Sequence, residues 1–143
     1  MSMELLLVKL TPEQAEAVSA NPEVLNELFD DPDDLPPPLS ALDDEADLLE
    51  LNYLHVSEYL DTEADESAWM RKAVDGAGTK LDVDLGYETA WLIGPAEVRE
   101  ITAGIEQDGW FDPDPHMSGD LQALATFFRT AAEQGRAVAG GIG

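Results

Sequence analysis

The chain has no cysteine, two histidines, seven Lys and Arg against 31 Asp and Glu, and no stretch of apolar side chains longer than four. Each scarcity excludes something. Without cysteine there is no disulfide framework, no thiolate metal site and no cysteine nucleophile. With two histidines, a zinc site would have to draw most of its ligands from carboxylates, which structural zinc sites do not do. So few cations cannot make the clustered Lys and Arg that phosphate backbones require, and the net charge repels anionic membrane surfaces. The first ten residues, "MSMELLLVKL", lack both a basic lead and a long apolar run. No secretory leader or membrane span is therefore expected, and a cytoplasmic location is.

What is present suits one domain. A chain of 143 residues that is 44% apolar can bury a full core. The net charge of −24 is unevenly spread: up to Met70 there are 19 acidic residues and one base, Lys9, and beyond it 12 acids and six bases. Such a surface either steers toward a basic partner or serves solubility alone.

Turn chemistry divides the chain. Met3–Leu10 reads as a strand, and Thr11 as the cap of a helix with Pro12 at its first position and Gln14 as capping-box partner. "NPEVLNELF" restarts the helix after a break near Asn21. Within the segment "DDPDDLPPPLSALDDEAD", residues 30–43 are expected to form a mobile acidic, proline-rich loop. A helix is expected over Asp44–Leu60, with Leu48, Leu51, His55 and Tyr59 on one stripe. "SAWMRKAV" reads as a short helix capped by Ser67, Thr89–Ile93 as a strand, and "GPAEVREITAGIEQ" as a helix burying Val98, Ile101, Thr102 and Ile105. The final long helix places Leu121, Leu124, Ala125, Phe128 and Ala132 inward, with Gln122, Arg129 and Glu133 opposite. "RAVAGGIG" closes the chain as a glycine-weakened strand. This order predicts an α/β fold: a small single domain over residues 1–143, three-layered or with an open mixed sheet packed by helices.

Two places carry possible chemistry. In "LNYLHVSEYL", His55 and Glu58 stand three apart, with Tyr59 beside them, and could share a proton or an ion if they faced a pocket. The pair lacks the further ligands that a metal needs. The stripe instead predicts His55 as a core or near-core side chain. In "DPDPHMSGDLQA", Asp112, Asp114, His116, Ser118 and Asp120 alternate as in a calcium loop. Met117 stands where that loop needs glycine and Ala123 where it needs glutamate, so turns and caps explain the pattern. Trp69, Trp91, Trp110, Phe127 and Phe128 read as core. No nucleophile elbow or phosphate-binding glycine loop is present. No cofactor or metal is expected.

The segments "LNYLHVSEYL", "WMRKAVDGAGTKLDVDLGYETAWLIGPAEVREITAGI", "WFDPDPHM" and "LATFFRTAAEQGRAVAGGIG" together resemble the YfbM-like family of small bacterial proteins, a domain of unknown function. The strongest local likeness is the strand that runs into Gly94-Pro95-Ala96-Glu97-Val98. The chain departs from the family at Leu51, where a tryptophan is usual, at Trp91, where an arginine is usual, and in lacking a Tyr-Pro segment after the Asp-Pro turn. The resemblance implies a single-domain, three-layer α/β fold and supplies no activity. The reading expected from these observations is a non-catalytic acidic interaction module, immunity- or inhibitor-like, with a basic protein partner. Its rival is a small enzyme or ligand-binding domain with a pocket near His55.

Overall fold

A computed structural model describes residues 3–30, 35–43, 46–62, 68–74, 78–86, 89–109 and 119–143. Its elements run β1 (Glu4–Leu10), α1 (Pro12–Ala20), α2 (Val24–Asp30), β2 (Leu48–Asn52), α3 (Tyr53–Thr62), α4 (Ala68–Val74), β3 (Thr79–Asp84), β4 (Thr89–Ile93), α5 (Pro95–Gln107), α6 (Gly119–Glu133) and β5 (Ala137–Ile142). The five strands form one sheet in the order β2-β1-β5-β4-β3, and every neighbouring pair is antiparallel.

The fold is α/β with three layers, because the central strands are apolar on both sides. Alternate residues of a strand point to opposite faces. Leu5, Leu7, Trp91, Ile93 and Val138 meet the helices α3–α6 on one face. Val8, Leu10, Ala90, Ala137 and Ala139 meet α1, α2 and a 3-10 turn at Leu39–Ala41 on the other. The closing strand is the middle of the sheet, buried along its whole length. Its glycine at 140 is there for space: a Cβ at that position would lie 2.4 Å from the Leu6 carbonyl oxygen.

Local signals place most elements. Thr11 Oγ1 accepts from the Gln14 amide at 3.3 Å, Gln14 Oε1 accepts from the Thr11 amide at 2.8 Å, and Gln14 Nε2 donates to the Pro38 carbonyl at 3.2 Å. That last bond ties the capping box of α1 to the proline segment, within which Leu35 and Leu39 are buried. Residues 31–34 of the expected acidic loop lie outside the described residues, as do Ser67, Trp110 and Asp112–Ser118 of the calcium-loop comparison. In α5 all four expected inward residues are buried, and Thr102 Oγ1 reaches both Val98 O (2.8 Å) and Phe128 O (3.1 Å), joining α5 to α6.

Two expectations need correction. The expected helix from Asp44 is in its first part a strand: Leu48–Asn52 pairs with β1, and the helix begins only at Tyr53. Asn52 sets that start, its Oδ1 accepting from the His55 amide at 3.1 Å in the manner of a helix cap. The second correction follows from the first. Once Leu48 and Leu51 belong to a strand, the stripe that placed His55 inside no longer exists. His55 stands on the exposed first turn of α3, while Val56 is the buried residue there. A third feature, strand β3, was not anticipated from the sequence.

Candidate functional site

Among the described residues, His55 meets Asp120 at the protein surface, and Glu58 stands exposed on the same helix as His55. The His55 side chain is 58% exposed, and its Nδ1 lies 3.1 Å from Asp120 Oδ2 at the start of α6. Its ring partner is therefore a carboxylate from another helix rather than Glu58, which is itself exposed on α3. The Tyr59 side chain lies outside the described residues. A solvated His–Asp pair of this kind tethers α3 to α6 and contributes little, since water competes for both partners.

A different group is enclosed. Lys9 is the sole base among the first 70 residues, and it sits in β1 with only 4% of its surface exposed. Its place in the strand explains why. Leu5, Leu7 and Lys9 alternate toward the α3–α6 side, so the sequence puts a lysine at an inward position. Antiparallel pairing then delivers its company. The Lys9 amide donates to the Asp47 carbonyl at 2.8 Å, setting Asp47 across from it beside β2, and Arg136 enters β5 on the far side of β1.

The Asp47 carboxylate is already engaged. One oxygen takes a charge-assisted bond from Arg136 Nη1, and the other accepts from the Asp43 amide at 2.9 Å. Lys9 is left with the Phe127 ring, whose centroid lies 5.4 Å from Nζ, and among the described residues no side chain or carbonyl accepts a hydrogen bond from its ammonium. Burial consequently holds the Lys9 amine below its ordinary lysine value. The Asp47 charge opposes that shift, and Arg136 adds to it.

The ammonium opens onto a cleft of about 450 Å³ between the start of β2 and the outer face of α6. Leu48 and Leu49 form the strand wall. The helix wall has two rows at four-residue spacing: Gly119, Ala123 and Phe127 in one, Gln122, Thr126 and Thr130 in the other. Gly119 and Ala123 put little side-chain volume into the space between α6 and the strand, and a Cβ at 119 would meet nothing within 4 Å. Among the described residues that line it, neither His55 nor Glu58 takes part. No group of three or more His, Asp or Glu that could hold a metal occurs among the described residues.

Sequence reasoning missed Lys9, although a signal was present. A lone cation inside "ELLLVKL", in phase with two inward leucines, marks a charge that the fold must bury.

Comparison of the chain with protein-family models, with curated proteins and with solved structures finds no match in any of the three.

Proposed function

We propose that the chain is a non-catalytic interaction module of YfbM-like type that docks a basic protein partner through its α1–α2 face. The observation that carries this reading is the division of charge between the two helical layers. On α1, α2 and the turn between them every exposed charged residue is acidic (Glu13, Glu16, Glu23, Glu27 and Asp30), and no Lys or Arg lies in the sequence between Lys9 and Arg71. The opposite layer is mixed: Lys72, Arg99 and Arg129 are exposed among Glu58, Glu100, Glu106 and Glu133, and Arg129 pairs with Glu133 at 3.5 Å. A general solubility bias would leave both faces alike. One-sided charge supports directed encounter with a cationic surface, and an immunity- or inhibitor-like role fits it.

The strand-to-helix junction at Gly94-Pro95, where β4 gives way to α5, lends the family resemblance local support. No helix among the described residues is long and apolar enough to cross a membrane, and a cytoplasmic location belongs to the same proposal.

The test is capture of partners by the wild-type chain and by two matched charge reversals: Glu13→Lys with Glu23→Lys and Glu27→Lys on the acidic face, and Glu100→Lys with Glu106→Lys on the mixed face. The expected result is a specific partner that is released by raised salt, lost with the first reversal and kept with the second. A partner retained by both variants at high salt defeats the reading. The rival, a ligand-binding domain, draws its support from the Lys9 cleft and not from His55.

A further inference from the structure

We infer that the cleft between β2 and α6 is a binding site for a small amphipathic monocarboxylate, its carboxylate received by Lys9 and its apolar body lying against Leu48, Leu49 and Phe127. The site lies between the start of β2 and α6, where Leu49 belongs to the α3–α6 core and Leu48 to the other, and no residue of α1 or α2 lines it, so it stands or falls independently of partner docking.

Three observations converge. First, Lys9 is buried and directed at the cleft, and its ammonium has no acceptor among the described residues. An ammonium carries three donors, and at the wall of an open cleft they are left to water or to a guest. Its neighbour Asp47 lies close enough to attract it, but the Asp47 carboxylate oxygens take their hydrogen bonds from Arg136 and the Asp43 amide. The Lys9–Asp47–Arg136 group thus presents one uncompensated positive charge at the wall of a hollow, in a protein of net charge −24.

Second, the remaining lining is divided as an amphipathic guest requires. Leucine and phenylalanine side chains offer apolar contact, while Gln122, Thr126 and Thr130 supply amide and hydroxyl groups along one row of α6. A volume of about 450 Å³ falls in the range of small-molecule sites and holds a short-chain acid with room to spare.

Third, the charge balance selects a monoanion. Recognition of a phosphate calls for several donors or a bidentate arginine, and the one arginine here is engaged with Asp47. The field of the whole molecule also opposes a dianion more than a monoanion. A single carboxylate matches the single free cation.

The probe is octanoate, titrated into the full-length chain and followed by amide chemical-shift changes and calorimetry, with octanol and octylamine as neutral and cationic counterparts. Octanoate is expected to shift Leu48, Leu49 and the Gln122–Thr130 turns of α6, and to bind about ten- to hundredfold more tightly than octanol, the range for a charge-assisted hydrogen bond. Lys9→Met should abolish that preference while leaving weak binding of both. Ala123→Leu, which fills the hollow without touching the cation, should remove binding of all three. Raising salt should leave octanoate affinity unchanged or higher, since it screens the long-range repulsion first; partner docking carries the opposite salt dependence, so the two readings fail separately. Equal affinity for octanoate and octanol, unchanged octanoate binding in Lys9→Met, or shifts confined to residues outside the cleft would each overturn the assignment, as would no binding at all.

Discussion

Replacing Lys9 by methionine should stabilise the protein, and the reasoning can be followed quantity by quantity. Methionine keeps the length and unbranched shape of the lysine stem, so the buried slot in β1 stays filled. The change gives up the cation–π contact with Phe127, about 0.5–1 kcal/mol for a pair of this kind. It also gives up the attraction to Asp47, but Asp47 keeps Arg136. On the other side, the desolvation of the ammonium disappears, and the Nζ position is given back to the open cleft. Exchange of buried ions for apolar side chains stabilises by about 1–4 kcal/mol in other proteins. The open cleft beside Lys9 argues for the lower end, about 1 kcal/mol, or roughly 2–4 °C in Tm for a chain this long. The sign with pH is fixed independently. Burial lowers the Lys9 value in the folded state, so between that value and about 10.4 the unfolded chain binds more protons. Wild-type stability therefore gains a rising contribution with pH through that window. The methionine variant lacks it. Its advantage should be largest near neutral pH and should shrink toward about pH 10. Urea unfolding followed by circular dichroism at a series of pH values reads both effects. A variant less stable than wild type at neutral pH, by more than about 1 kcal/mol, or a difference that does not move with pH, would refute the argument.

Other substitutions test the remaining parts. Asp47→Asn leaves Arg136 and Lys9 facing each other without their counter-charge and should lower stability by about 2–3 kcal/mol in thermal unfolding, a little under the fully buried case because Arg136 keeps some contact with water. Gly104→Ala would set a methyl 2.0 Å from the Trp69 indole, so α4 must move off α5; a loss of about 1–3 kcal/mol and a shifted tryptophan emission are expected. Gly140→Ala meets backbone as well as the Leu7 side chain, and in the central strand it should cost more than the change at 104, measured in the same denaturation series. His55→Ala, by contrast, removes a solvated contact and should change stability by less than about 1 kcal/mol, with carboxylate binding in the cleft unaltered.

Much of the architecture could be read from the sequence because its signals were local. The Thr11–Gln14 box, the Pro95 start of α5 and the apolar face of α6 each require only neighbours within a turn or two, and each appears where it was expected. The failure between Asp44 and Leu60 has a definite cause. Leu48, Leu49 and Leu51 satisfy a helical stripe and a strand equally well, and only pairing with β1, supplied from more than 40 residues away, decides between them. Asn52 was the local clue, a cap residue inside what was read as helix interior. The misplacement of His55 followed directly, since a stripe drawn through the wrong element points a side chain the wrong way. β3 stayed hidden because "TKLDVD" buries only Leu81 fully at the sheet edge and exposes its charged residues. The cleft could not be read at all. It depends on which strand residue faces which helix row, and no sequence spacing connects Lys9 to Thr126 or Phe127.

The most direct measurement is the association rate between this protein and the partner it captures, followed by stopped-flow across ionic strength for wild type and for the Glu13, Glu23 and Glu27 reversal. Electrostatic docking through the α1–α2 face predicts a wild-type rate that drops by about tenfold or more as salt rises, and a reversed variant that is slow at every salt concentration. A rate that is flat in salt, or a reversed variant that associates as fast as wild type at low salt, contradicts it.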